Sequence, residues 1–421
     1  IENSGMWEIG EDTECNHETS KIIRERLLGQ VFAVSAQIVE EEICSIEDVD
    51  RGAKVGLRWA EGPFEIANKI GIVESRMMAE KYSELAGFKL PQWMKEKKGN
   101  FEFNYIDIEI NNKIAKIKLN RPEAMNALNE SVVEQLGKAI DELNSRNDID
   151  TIVLEGAGKA FVAGADVKFF VDKINEDAIK DIYDFTSHGH EVLNKLEKSD
   201  KTTIALTTGL ALGGGLELAL SCDYRIGTRR SQFRFPETSI GIFPGLGGTQ
   251  RTPRICGIEA ARYAVLAGNF LDSTTASALG IITHLVEPSE ISKTTKELSN
   301  KGKPTNKYPG EPKDKNHPVS LFAMKFYKNE NMDLIMSGEI PEDFDSDDKK
   351  VIRQMKSLSF TAPIALKIAR ELLDSAISTG DDLDMGLDLE LAKLNTIFES
   401  KDALEGLSAL IEGRRPKYIN D

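Results

Sequence analysis

Three consecutive glycines run straight into an apolar segment that carries one acid, Gly213-Gly-Gly-Leu-Glu-Leu-Ala-Leu220. Three positions without side chains let one stretch of backbone approach another very closely, which few other sequences permit. Glu217 stands between Leu216 and Leu218, where an idle carboxylate would cost desolvation energy. Twenty positions on, Glu237 follows Pro236 and precedes a second glycine-rich loop, 245–248. Two carboxylates in a partly apolar pocket suit a reaction that moves a proton to carbon while activating water. The glycines also let backbone N–H groups reach a carbonyl oxygen on which charge develops, although tight helix packing is a second use for them.

The chain has 421 residues, long enough for two or three domains. Its net charge of −16 argues against a nucleic-acid footprint, so an anionic ligand needs a local cluster of Lys and Arg. The four cysteines are scattered without a C-x-x-C pair and read as free thiols of a reducing compartment. His188 and His190, one residue apart, point to different faces of a helix and read as packing or surface groups; no metal site is expected. Without a signal-like start or a long apolar run, the chain is expected in the cytoplasm with no membrane partner. It begins at Ile1, not Met, and so reads as a fragment or processed form.

Residues 20–100 carry helix-period patterning, including the stripe Ile22, Ile23, Leu27, Leu28, Val31, Phe32, Ser35, Ile38 and Val39. Ser45-Ile-Glu-Asp48 resembles a helix-opening cap, Gly62-Pro63 and Gly71 interrupt the pattern, and the lysine-rich 95–100 reads as a linker. The period then changes to two. Ile106, Ile108 and Ile110, the turn Asn111-Asn112, and Ala115, Ile117 and Leu119 predict a hairpin opening a new domain. Asn129 predicts a helix cap, and strand-like runs at 151–154, 202–208 and 224–226 alternate with helical stretches, which indicates an α/β fold of repeated strand–helix units. The expected division is a small all-α domain over 1–100, a core over 101–298, an irregular Pro-rich insertion over 299–348 and a helical segment over 349–421.

Four motifs, Arg121-Pro-Glu-Ala-Met-Asn-Ala-Leu128, Ala160-Phe-Val-Ala-Gly-Ala-Asp166, Gly213-Gly-Gly-Leu-Glu217 and Pro236-Glu-Thr-Ser-Ile-Gly-Ile-Phe-Pro-Gly-Leu-Gly-Gly248, occur in the order found in the crotonase (enoyl-CoA hydratase/isomerase) superfamily, which this region resembles. The resemblance implies a spiral of ββα turns with a helical C-terminal segment, a coenzyme A thioester as substrate, no permanently bound cofactor, and a homo-oligomer, trimer or hexamer. Residues 20–90, through Glu47-Asp-Val-Asp50 and Gly62-Pro-Phe-Glu-Ile-Ala67, are similar to the C-terminal helical domain of 3-hydroxyacyl-CoA dehydrogenases. That order of domains resembles archaeal bifunctional β-oxidation proteins. No G-x-G-x-x-G fingerprint follows a strand near the N-terminus, so dehydrogenase activity is not expected of this chain alone and an NAD-binding half would be a separate partner.

By the same resemblance, the N–H groups of Ala165 and Gly214 form the oxyanion hole, Glu217 activates water and Glu237 passes a proton to the α-carbon. Asn126, Ala127 and Leu128 are expected along the adenine and pantetheine, with Ala163, Gly164, Asp166, Gly213 and Gly245 also in the binding site. Lys168 is expected near the CoA phosphates, and Arg414 or Arg415 adds charge there. Isomerases of the superfamily often use one of the two acidic positions, and 3-hydroxyisobutyryl-CoA-type hydrolases carry Asp where this chain has Gly245 and lack the acid at Glu217. Both differences favour a hydratase. An alternative of another class is a non-catalytic CoA-binding subunit of a larger complex.

Overall fold

The computed structural model describes residues 16–421, and these form two units that divide between Asn104 and Tyr105. The N-terminal unit is all helical. Its long helix His17–Glu40 begins at Asn16, whose side chain accepts from the Thr19 N–H, and Ser45 caps Ile46–Gly56 in the same way. Gly62 precedes Pro63–Ile70, and Gly71 separates that helix from Ile72–Ala86. The buried Asp50 accepts from the N–H groups of Phe64 and Glu65, tying the second helix to the first turn of the third.

Two expectations for this unit need adjustment. Only the later part of the long helix is buried, through Phe32, Ala33 and Ala36, whereas Ile22, Ile23 and Leu27 are exposed. The stretch after the lysines also stays with the helical unit. Phe101 packs edge-on against Phe64 with ring centroids 4.7 Å apart, and its backbone is held at both ends by the Asn68 amide.

In the second unit the hairpin forms as β1 (Ile106–Asn111) and β2 (Ile114–Leu119), paired antiparallel with Ile108 opposite Ile117. Ala115, Ile117 and Leu119 are buried, but β1 is an edge strand and Ile108 and Ile110 remain exposed. Thereafter strands come in pairs that feed two different sheets. β3 (Thr151–Gly156), β5 (Thr202–Thr207) and β7 (Tyr224–Gly227) extend the hairpin into a six-stranded sheet closed by β10 (His284–Leu285). Their successors β4 (Ala160–Ala163), β6 (Leu210–Leu212) and β8 (Gln232–Arg234) build a second sheet of four with β9 (Leu271–Asp272). Pairing is parallel within each stack, β3 with β5 and β5 with β7, β4 with β6 and β6 with β8.

Each turn of the chain thus gives one strand to each sheet and then a helix, which is the ββα spiral. The space between is filled by residues such as Phe161, Val162, Leu216, Leu218 and Phe233. Every residue of β5 is buried, because helix Ile291–Lys301 covers its other face through Leu298. The 299–348 region contains helices Pro318–Phe326 and Met332–Ser337. Lys307 anchors it by an ion pair to Glu197 at 2.7 Å. The last three helices, Pro363–Ser378, Leu383–Phe398 and Lys401–Glu412, pack back onto the spiral.

Candidate active site

The three glycines after β6 serve three separate purposes. A Cβ at residue 213 would fall far inside van der Waals contact of Glu237 Oε1, and Gly213 has φ +48°, a region that disfavours side chains. A Cβ at 214 would lie 3.1 Å from Leu246 Cδ1 and 3.8 Å from the Ala165 nitrogen, so these two backbones meet. A Cβ at 215 would strike the Val162 carbonyl, so Gly215 is where helix Gly214–Leu220 presses directly on β4. The seat of Glu237, the approach to Ala165 and the packing on β4 therefore occupy adjacent residues.

Gly214 is the first residue of its helix, so its N–H has no acceptor within that helix. Ala165 forms a single parallel bridge with Leu128. The Leu128 N–H donates to Gly164 O and the Asp166 N–H to Leu128 O, which turns the N–H of Ala165 itself the other way. The two N–H groups of the expected oxyanion hole thus lie side by side on helix and strand ends.

Glu217 is 2% exposed, and its Oε1 accepts from the N–H groups of Leu246 and Gly248, each at 2.7 Å. Burial, with the Glu237 and Glu390 carboxylates nearby, pushes its carboxyl well above the ordinary range despite those two donors. Glu237 opens a short helical turn, Glu237–Ile240, and is 7% exposed. Its Oε2 is buried without a hydrogen-bond partner, and burial raises its carboxyl too, opposed in part by Arg234. Burial thus raises the proton affinity of both neighbouring acids.

The remaining expected residues divide into those at the opening and those behind it. Ala163 ends β4 and Gly164 follows it, next to Ala165, and the Ala163 N–H donates to Met125 O. Asn126 does not offer its side chain to a ligand. It is fully buried, and its Nδ2 donates to the carbonyls of Ala157, Ala160 and Phe161 while Oδ1 accepts from the Arg121 N–H. Asn126 therefore fixes the loop that presents Ala127 and Leu128. Arg121 lies 3.2 Å from Asp166 and also donates to Ala127 O, tying those two motifs together. Lys168 extends from helix Val167–Asn175 and pairs with Asp172, and Arg414 pairs with Glu405 and Glu412. Gly245 contributes its carbonyl, which accepts from His190 Nε2 at 2.6 Å.

That last contact shows what the sequence reading missed. His190 is buried against the loop after Glu237, and Glu390 reaches the same loop from helix Leu383–Phe398. Among the described residues no group of three or more His, Cys, Asp or Glu is arranged to hold a metal. Cys44, Cys222 and Cys256 are free thiols, while Cys15 lies outside the described residues. No helix among the described residues is long and apolar enough to cross a membrane.

The spiral and its paired acids define a class. The chain belongs to the enoyl-CoA hydratase/isomerase family, whose model matches residues 114–420. Residues 23–100 match the 3-hydroxyacyl-CoA dehydrogenase C-terminal domain. The chain is similar to a short-chain-enoyl-CoA hydratase of Clostridium acetobutylicum, 37% identical over 201 residues covering 48% of this chain and 76% of that protein. It is also similar to a crotonyl-CoA hydratase of Syntrophomonas wolfei, 26% identical over 76% of this chain and 99% of that one. A crystal structure of an enoyl-CoA hydratase from Rhodobacter sphaeroides shares the fold, with a TM-score of 0.64 and 21% identity over 76% of this chain and 93% of that one.

Proposed function

We infer that this chain is an enoyl-CoA hydratase that adds water across the double bond of a short 2-enoyl-CoA to give a 3-hydroxyacyl-CoA. The observation that carries the reading is the pair of buried acids, Glu217 held through one oxygen and Glu237 with an unpartnered one, beside the N–H groups of Ala165 and Gly214. The thioester oxygen lies against those two donors. The ionised Glu217 takes a proton from water as its oxygen bonds to the β-carbon, and the π electrons move onto the thioester oxygen. The protonated Glu237 then delivers a proton to the α-carbon as that charge returns. One donor of such a hole is worth roughly 2.7–4 kcal/mol of barrier in comparable sites. No cofactor is required by these steps.

Incubation with crotonyl-CoA tests the reading. Loss of the enoyl thioester with formation of 3-hydroxybutyryl-CoA and no free thiol is expected. Release of CoA thiol from a 3-hydroxyacyl thioester as the dominant reaction would instead establish a hydrolase, and failure of the chain to convert either substrate would favour a non-catalytic CoA-binding role.

The N-terminal unit motivates a place in a sequence of reactions. The hydration product is a 3-hydroxyacyl thioester, the substrate class of the dehydrogenases to which residues 23–100 are matched. The unit serves as a docking or stabilising module for an NAD-binding half, and residues 1–421 alone form no NADH from NAD and a 3-hydroxyacyl-CoA. Assembly as a homo-oligomer is supported by apolar side chains left exposed on the last helices, among them Ile377, Met385, Leu410 and Ile411, and sedimentation would measure it.

A further inference from the structure

Helix Gly248–Cys256 starts immediately after the loop that follows Glu237, and its first N–H groups need acceptors from outside the helix. Two carboxylates from distant elements supply them by turns. Leu246 and Gly248 donate to Glu217 Oε1, whereas Gly247 donates to Glu390 Oε2 at 2.7 Å and Thr249 to Glu390 Oε1 at 3.1 Å. The Thr249 hydroxyl donates to that same Glu390 oxygen. Glu390 is 0% exposed and belongs to helix Leu383–Phe398.

We infer that Glu390 is a positioning residue of the active site: it holds the 246–249 strap so that the Leu246 and Gly248 N–H groups fix the orientation of the Glu217 carboxyl. The inference rests on the hydratase reading for its kinetic consequence, though not for its structural one. Its physical basis is that a carboxylate with one oxygen pinned by two donors presents the other oxygen in a single direction. The pinning donors are themselves placed by the neighbours that Glu390 grips. A fully buried carboxylate with three donors is held by charge-assisted bonds, the stronger kind, so the strap has little freedom to rotate.

The other groups facing Glu390 support the same role. His190 from helix Ile179–Glu197 donates through Nε2 to Gly245 O, the residue that leads into the strap, and that nitrogen lies 3.5 Å from Glu390 Oε2. Arg251 from the strapped helix donates to Leu246 O and pairs with Glu197 at 3.0 Å. Leu246 O and the preceding Gly245 O are thus held by a cationic and a ring donor, and the strap's N–H groups by carboxylates. The charge of Glu390 also adds to the proton affinity of Glu217.

Glu390→Gln keeps the shape but puts an amide N–H₂ where one strap donor needs an acceptor. In the full chain, hydrogen exchange of the Leu246 and Gly248 amides should accelerate by at least roughly 10-fold, with exchange in β5 unchanged. The kcat for crotonyl-CoA should fall by at least roughly 10-fold, while KM stays within about twofold, because the thioester contacts are untouched. Thr249→Val removes one donor only and should shift both readouts the same way by less, which keeps the test open if Glu390→Gln does not fold.

Unchanged exchange at Leu246 and Gly248 in a folded variant overturns the inference, as does accelerated exchange with wild-type kcat. A Thr249→Val protein identical to wild type, next to an unfolded Glu390→Gln, overturns it as well. If the wild-type chain hydrates no enoyl thioester, the hydratase reading fails while the exchange measurement still decides what Glu390 does.

Discussion

The Cβ that any residue other than glycine would carry at 213 falls on the carboxyl of Glu237. Glu237, the proposed proton donor, is therefore seated against bare backbone, one residue before Gly214, a proposed oxyanion-hole donor. Gly213→Ala should displace Glu237 and strain a backbone at φ +48°, costing roughly 1–3 kcal/mol in stability. The kcat for crotonyl-CoA should drop by at least roughly 10²-fold, the scale of a lost acid–base group. Thermal melts together with steady-state kinetics measure both effects.

Glu217→Gln and Glu237→Gln should each lower kcat by at least roughly 10²-fold while leaving affinity for a saturated acyl-CoA largely intact. Isothermal titration with butyryl-CoA separates binding from turnover. Near-normal rates in both variants would remove the two acids from the mechanism.

The pH profile of hydration should be bell-shaped and displaced upward from the ordinary carboxylate range. In the proposed mechanism Glu217 acts ionised, so the rate falls as pH drops through its raised pKa, and Glu237 acts protonated, so the rate falls as pH rises through its own. Both shifts have burial as their first cause. In Glu237→Gln the residual activity should lose its alkaline limb, which a rate–pH series would register.

In the helical unit, Asp50→Ala removes the acceptor for the Phe64 and Glu65 N–H groups at the start of helix Pro63–Ile70. The unit should lose about 1–2 kcal/mol of stability, as for a helix cap. Hydration of crotonyl-CoA should continue at the wild-type rate. Differential scanning calorimetry and a kinetic assay on the full chain check the two outcomes together.

What the sequence made legible was local. The change of period at Ile106, the Asn129 cap and the glycine frames of Glu217 and Glu237 each depend on neighbours a few positions away, and the structure forms them as hairpin, capped helix and paired acids. Glu390 had no such signature. It sits on an ordinary helix face, and the donors it grips, Gly247 and Thr249, are 143 and 141 positions distant. His190 read as packing for the same reason, since its partner is the Gly245 carbonyl, 55 positions on. The inward turn of the Asn126 amide was not legible either, because a motif position says which residue is present and not which way its amide turns.

The strap also obeys a parity rule. Its N–H groups go alternately to Glu217 and to Glu390, so each residue's number, odd or even, decides which one it serves. Substitution is restricted as well, because a Cβ at 247 would fall on the Arg251 guanidinium and one at 248 on the Glu217 carboxyl. Inserting or deleting one residue would exchange the two sets of donors, so this segment cannot change in length by a single step.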